Sequence, residues 1–215
     1  MSTPPVQRGD DVPERFPGFR VLGQARHWDE ETRAVVLARV GRPSDIRFFD
    51  VVEQAAATAL FDEILGQEGD GRVPVTAMVD ARLAEKQTDG WHYDTMPTDQ
   101  ESWHRTLAAL DDDARAAHGC TFADCDHERR RALLEAVHTG DGDWHGLHRG
   151  QVWSLWTRYA CTAFYSHPRA WDEIGFDGPA YPRGYKNLGI GRREPFEVED
   201  AHPAQLPITT TGDGS

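Results

Sequence analysis

Apolar side chains recur at three- and four-residue intervals through the middle of the chain. Such spacing places side chains on one face of a helix. Five amphipathic helices are predicted, and their apolar faces begin near Val52, Val75, Trp103, Ala132 and Val152. A short further helix is predicted from Pro168, because proline suits the first helical turn. The pattern therefore predicts a mainly α fold of about five to six helices, with a helical core over residues 50–165.

Helix start signals agree with this pattern. Asp50 with Glu53, and Thr98 with Glu101, have the spacing of a capping box. In that motif, the two side chains satisfy backbone N–H groups that the first turn leaves unpaired. Asp126 is a further candidate N-cap. These residues predict helix starts close to positions 51, 99 and 127.

The residues before the helical core have a different pattern. Two apolar runs, VLGQA and AVVLARV, flank the acidic tetrapeptide Asp29–Thr32. Short apolar runs around a polar turn are typical of a hairpin. We therefore expect an N-terminal β-hairpin arm over residues 19–40. The polar, proline-rich residues 1–17 are expected to form a flexible arm.

Aromatic residues, glycines and prolines are concentrated in residues 163–189. The stretch has neither helical nor strand periodicity beyond its first turns, so we expect an irregular C-terminal arm over residues 166–198. Aromatic residues and arginine are enriched at protein–protein interfaces. The candidate partner-interface residues are Tyr165, Trp171, Phe176, Tyr181, Arg183 and Tyr185. An alternative is a loop that covers the chain's own core. Residues 199–215 are expected to be a polar tail.

Composition narrows the function classes. The formal net charge of the 215 residues is −13. This balance argues against binding to nucleic acid or to an anionic membrane, since phosphate contacts need clustered cations. Three cysteines do not suggest a disulfide framework. The N-terminus shows no apolar signal segment, and no run is long enough to span a bilayer, so a cytoplasmic location is expected.

Two histidine-rich groups are candidate metal sites. His118, Cys120, Cys125 and His127 provide four residue types that bind zinc, but their spacing differs from that of common zinc modules. His138, His145 and His148 lie near two aspartates. Neither group forms a familiar catalytic motif. No catalytic or cofactor-binding residue is therefore predicted on this chain, and a stand-alone metal-dependent enzyme stays an alternative.

Several motifs resemble the gluconate 2-dehydrogenase subunit 3 family. The most specific is FYSHPRAWDEIGFDGPAYPRGY, at residues 164–185. The runs RFFDVVE and VPVTAMVD, and the helix pattern from Phe122 to Gly140, are also similar to that family. The resemblance extends over roughly residues 35–198.

The resemblance implies a small, mainly helical, non-catalytic accessory subunit within one domain over residues 18–198. Members of the family associate with an FAD-dependent dehydrogenase of the glucose–methanol–choline type, which oxidises sugars, sugar acids or glycosides. FAD and the catalytic residues then belong to the large subunit. The motif at Tyr165–Tyr185 is implied to contact that partner. A transient maturation chaperone for a flavoprotein is a second alternative.

Overall fold

The computed structural model describes residues 15–41, 45–69 and 71–201. Within these ranges the chain is mainly helical, as predicted, with eight helices and one two-stranded antiparallel sheet. The helices are a 3₁₀ helix (Val21–His27), α1 (Glu30–Arg39), α2 (Val51–Leu65), α3 (Val75–Ala84), α4 (Asp99–His118), α5 (His127–Thr139), α6 (Arg149–Ser166) and α7 (Pro168–Ile174). Most of the predicted N-terminal arm and of the C-terminal tail lies outside the described residues.

The chain divides into two units. Residues 41–167 form the first, here called the helical unit. The described residues within 1–40 and 168–215 form the second, here called the terminal unit. No helix in the described parts of either unit combines the length and the apolar character needed to cross a membrane.

Helix α6 is the central element of the helical unit, since it packs against α2, α3, α4 and α5. Its buried face carries Trp156 and Tyr159, whose polar atoms both have partners inside the core. The Trp156 Nε1–H donates to Thr106 Oγ1 at 3.1 Å, and the Tyr159 hydroxyl donates to Asp99 Oδ2 at 2.6 Å. Trp103 of α4 packs edge-on against Tyr159, with 5.6 Å between ring centroids. The buried faces of α4 and α6 therefore form one aromatic-rich core, whereas Val52 and Ala132, which begin two of the predicted apolar faces, are exposed.

A buried carboxylate fixes the start of α2. Asp80 of α3 is fully buried and accepts hydrogen bonds from the backbone N–H groups of three consecutive residues, Arg47, Phe48 and Phe49. Directly after them, Asp50 caps α2 and forms the predicted capping box with Glu53. A carboxylate that accepts several backbone N–H groups offsets much of the cost of its burial. Asp80 thus connects the RFFDVVE and VPVTAMVD runs, which are distant in sequence.

The predicted β-hairpin over residues 19–40 is wrong. The acidic tetrapeptide is a helix start, because the Asp29 carboxylate accepts a hydrogen bond from the Thr32 N–H at 2.9 Å and caps α1. Within AVVLARV, Val36 is buried whereas its neighbours Val35 and Leu37 are exposed. One buried residue in the run is enough for the narrow contact face of a helix that lies at the surface.

The two-stranded sheet lies elsewhere, in the helical unit. Its strands are β1 (Asp143–Trp144) and β2 (Leu147–His148), and Trp144 pairs with Leu147. The two residues between them, His145 and Gly146, both have positive φ angles, 48° and 73°. This is the backbone of a tight two-residue hairpin turn. The glycine- and aspartate-rich run that contains it shows too little strand pattern to reveal two such short strands.

The terminal unit brings residues before and after the helical unit together around Trp171. Phe19, Val21, Trp28 and Val36 form a buried cluster with this tryptophan. The Val21 N–H donates to Asp172 Oδ1 at 2.6 Å, which fixes the 3₁₀ helix beside α7. The small core is therefore built from residues that lie far apart in the sequence, on either side of the helical unit.

Glycine is required at position 178, where the chain passes close to the Trp171 cluster. The residue has φ of +76°, and an added Cβ would lie 2.6 Å from Trp28 Cζ2. We expect Gly178→Ala to lower the free energy of unfolding by about 2–4 kcal/mol, from left-handed strain plus overpacking. Gly184 is the matched control, because it has φ of +68° but open space around its Cα. Its replacement by alanine should cost only about 1 kcal/mol in urea unfolding. Equal effects would contradict the close-packing argument.

Candidate partner-binding surface

The chain after α7 is irregular but is held by its own polar groups. α7 ends before Gly175, as predicted, and no regular element follows up to residue 201. The buried Glu194 carboxylate accepts hydrogen bonds from the backbone N–H groups of Lys186 and Asn187. These bonds, the one from Asn187 foremost, hold the pKa of Glu194 below its ordinary value. A loop closed in this way has a defined backbone and not a random one.

Arg183 provides a second anchor. Its guanidinium lies over the Phe196 ring, 3.5 Å from the centroid, and its Nη1 donates to Gln24 Oε1 at 2.9 Å. Arg15, before the 3₁₀ helix, also forms an ion pair with Asp200 at 2.5 Å. The N-terminal and C-terminal parts of the terminal unit are therefore joined by polar contacts as well as by the Trp171 cluster.

Residues 174–190, here called the apolar segment, expose a series of large apolar side chains. Their exposed fractions range from 40% to complete exposure. They are Ile174, Phe176, Tyr181, Tyr185, Leu188 and Ile190. Single exposed apolar residues are ordinary, but a concentration of them on one short ordered segment is typical of a binding surface.

The structure separates the predicted interface residues into three groups. Phe176, Tyr181 and Tyr185 lie exposed on the apolar segment, and Arg183 lies half-buried among them. Trp171 is buried in the chain's own core, so its ring is not available to a partner in this structure. Tyr165 is half-exposed at the end of α6, in the helical unit, where it packs edge-on against Phe164.

Three exposed residues of the apolar segment are absent from the predicted set. Leu188 and Ile190 are among the most exposed apolar residues described, and Ile174 is half-exposed at the end of α7. A prediction based on aromatic residues and arginine does not select these aliphatic residues. The sequence signal for these residues is the alternation of Leu188 and Ile190 with glycines. In such a run, the two side chains do not belong to the apolar face of a helix or strand.

The candidate zinc residues do not come together. His118 is exposed, and His127 pairs with Glu63 at 2.6 Å. Cys120 and Cys125 lie beside each other as free thiols. Within residues 15–41, 45–69 and 71–201, no group of three or more His, Cys, Asp and Glu side chains is placed to hold a metal ion.

The second histidine group is also dispersed. His145 contacts Asp113, with 2.8 Å between Nε2 and Oδ1, and Asp113 also accepts a hydrogen bond from the Trp144 indole at 2.7 Å. His138 instead stacks on Trp153, with 4.4 Å between ring centroids. The His145 ring is therefore engaged by Asp113 beside the hairpin, and the His138 ring of α5 by Trp153 of α6.

A charged and aromatic cluster holds the loop between α3 and α4. The Asp89 carboxylate pairs with Arg82 of α3 and with Arg158 of α6. The Arg158 guanidinium also lies 4.9 Å from the Trp91 ring and 5.2 Å from the Tyr159 ring. Partial burial raises the pKa of Asp89, but the hydrogen bonds and charges of the two arginines outweigh it and keep the pKa below its usual value.

This cluster predicts an acid-dependent loss of stability. Because the folded-state pKa of Asp89 lies below the ordinary value of 3.8, its contribution is complete above that pH and disappears as the pH falls through the folded value. We expect Asp89→Asn to lower the free energy of unfolding by about 1 kcal/mol at neutral pH. The difference should vanish near pH 2–3. Urea unfolding between pH 2 and 7 measures it, with exposed Asp94→Asn as control. A difference that is constant with pH would contradict the ion-pair explanation.

The fold and the apolar segment define the class: a mainly helical protein with a surface suited to protein–protein contact. A family model described as gluconate 2-dehydrogenase subunit 3 matches residues 52–178. The chain belongs to this family. Comparison with curated proteins found no match, and comparison with solved structures found none either.

Proposed function

We propose that this chain is a non-catalytic small subunit that binds and stabilises the large subunit of a dehydrogenase. The observation that carries the proposal is the apolar segment, whose backbone is held by Glu194 and Arg183 while its apolar side chains are exposed. A segment already ordered before binding loses little conformational entropy in a complex. Membership of a family described as a dehydrogenase subunit supports a dehydrogenase as the partner.

The partner that we propose is an FAD-dependent dehydrogenase of the glucose–methanol–choline type, active on sugars, sugar acids or glycosides. FAD and the catalytic residues would lie on that subunit. The net charge of −13 disfavours nucleic acid as a partner. The predicted cytoplasmic location stays a prediction.

Co-expression tests the proposal. The full-length chain should be poorly soluble when produced alone, because the apolar segment would be exposed, and its yield should recover with the large subunit. Size-exclusion chromatography should show both chains in one peak. A large subunit that gains FAD but elutes alone would indicate the transient chaperone instead. A stable monomer that does not bind the large subunit would overturn the proposal.

Matched tyrosine variants locate the binding surface. Tyr181 on the apolar segment is 65% exposed, and Tyr93 in the helical unit is 39% exposed. Tyr181→Ala should weaken the complex about 10- to 30-fold, the usual effect of losing an aromatic anchor. Tyr93→Ala should leave the affinity unchanged. Surface plasmon resonance with the purified large subunit, at low concentrations of the chain, measures both. Equal effects would place the interface elsewhere.

A further inference from the structure

The connection between α4 and α5 contains two cysteines that are close in space. Cys120 follows the C-terminal end of α4, and Cys125 precedes the Asp126 cap of α5. Their Sγ atoms lie 2.7 Å apart, and both are free thiols. A disulfide bond needs an S–S distance of about 2.05 Å, so only a small shift separates the two states.

The fold itself imposes this proximity. Gly119 caps the C-terminal end of α4 in the left-handed conformation, with φ of 72°, which turns the chain back. The buried Asp111 carboxylate accepts the Phe122 N–H at 2.9 Å, and Phe122 is fully buried. Phe122, in the middle of the loop, thus fixes the loop to α4.

The other end of the loop is held by α5. The Arg130 guanidinium donates to the carbonyl oxygens of Ala123 and Cys125, at 3.0 and 2.8 Å. Both cysteines therefore belong to a loop fixed on either side, and their sulfurs meet without any need for the helices to move.

We propose that Cys120 and Cys125 are a thiol–disulfide modification site, which a disulfide oxidant converts to an intramolecular disulfide that closes the loop between α4 and α5. The Cys120 thiolate attacks one sulfur of the oxidant, forms a mixed disulfide and releases the first thiol. Cys125 then loses its proton, and its sulfur attacks Cys120 Sγ and releases the second thiol. Two protein thiols are oxidised, and one oxidant disulfide is reduced to two thiols.

The surroundings of the two sulfurs fix the order of these steps. Cys120 is half-buried, whereas Cys125 is only 1% exposed. Burial, together with the Cys120 thiol, raises the pKa of Cys125 to about 11. Because the accessible thiolate is the nucleophile, Cys120 reacts with the oxidant and Cys125 resolves the mixed disulfide.

Equilibration of the full-length chain in glutathione buffers tests the site. Trypsin releases both cysteines in one peptide, residues 116–129, so the disulfide appears as a peptide that has lost two hydrogens and resists alkylation. We expect the equilibrium constant for this disulfide to be about tenfold or more higher in the native protein than in guanidinium, since the fold holds the sulfurs together. Equal constants, or a mixed glutathione disulfide as the end product, would overturn the proposal.

Two variants separate the site from general effects of oxidation. Oxidation should raise the melting temperature of Cys161→Ser, which lacks only the exposed cysteine of α6. The same treatment should leave the melting temperature of Cys120→Ser unchanged. A third variant, Cys125→Ala, should accumulate the mixed disulfide at Cys120. A shift of equal size in Cys120→Ser and Cys161→Ser would overturn the proposal.

Discussion

Asp80→Ala is expected to lower the free energy of unfolding by about 3–5 kcal/mol. The substitution removes the acceptor of three backbone N–H groups, from Arg47, Phe48 and Phe49, which lie at the start of α2. A buried donor left without a partner keeps its full desolvation cost. Urea unfolding followed by circular dichroism, at low protein concentration, measures the effect.

Glu85 is the matched control for this prediction. It follows the same helix and also contacts Arg47, but through an exposed side-chain ion pair at 2.8 Å. Glu85→Ala should therefore change the free energy of unfolding by less than about 1 kcal/mol. If the two variants had similar stability, the buried carboxylate would not be the anchor that its contacts indicate.

Trp171→Ala is expected to lower the free energy of unfolding by about 3–5 kcal/mol, the usual cost of removing a large buried aromatic side chain. Trp171 is 6% exposed and belongs to a core formed by residues from before and after the helical unit. Its ring also packs edge-on against Phe176, with 5.3 Å between centroids. Thermal unfolding of the chain followed by circular dichroism, at low protein concentration, should show a lower melting temperature.

Tyr181→Ala separates core from binding surface. This exposed residue should leave the melting temperature within about 1 °C of the parent, since surface substitutions rarely change stability. Its effect should appear instead in binding to the large subunit. The opposite pattern, with stability lost at Tyr181 and binding lost at Trp171 without unfolding, would make Trp171 an interface anchor.

Much of the helical unit is predictable because the sequence signals that define its helices are local. Asp50, Thr98 and Asp126 all cap the helices that they are predicted to cap. Helical periodicity likewise identifies α4 and α6, whose apolar faces are long enough to define a period. The short helix from Pro168 is recognisable for the same reason, since proline and glycine mark its two ends.

The errors arise where a local pattern is ambiguous. AVVLARV suits a strand by propensity, and only the Asp29 cap shows that it is a helix. Propensity is a weak guide when a helix buries a single residue. The role of Asp80 is equally hidden in the sequence. Its partners are backbone N–H groups in a distant part of the chain, and backbone groups carry no sequence signal.

The sequence indicates only in part which residues of the candidate binding surface are exposed. An irregular aromatic run marks Phe176, Tyr181 and Tyr185, which are exposed. The same composition cannot distinguish them from Trp171, because a tryptophan is suited equally to a small core and to an interface. Only the three-dimensional positions of Phe19, Val21 and Trp28 show which role this ring takes.

The Trp171 cluster also has a consequence for synthesis of the chain. Phe19, Val21 and Trp28 leave the ribosome well before the tryptophan that completes their core is made. At about 5–20 residues per second, translation from Val36 to Trp171 takes on the order of 10 s. During that interval the early residues lack this packing partner and are exposed to chaperones and to aggregation. In a chain made from a message truncated before codon 171, these residues would stay exposed permanently.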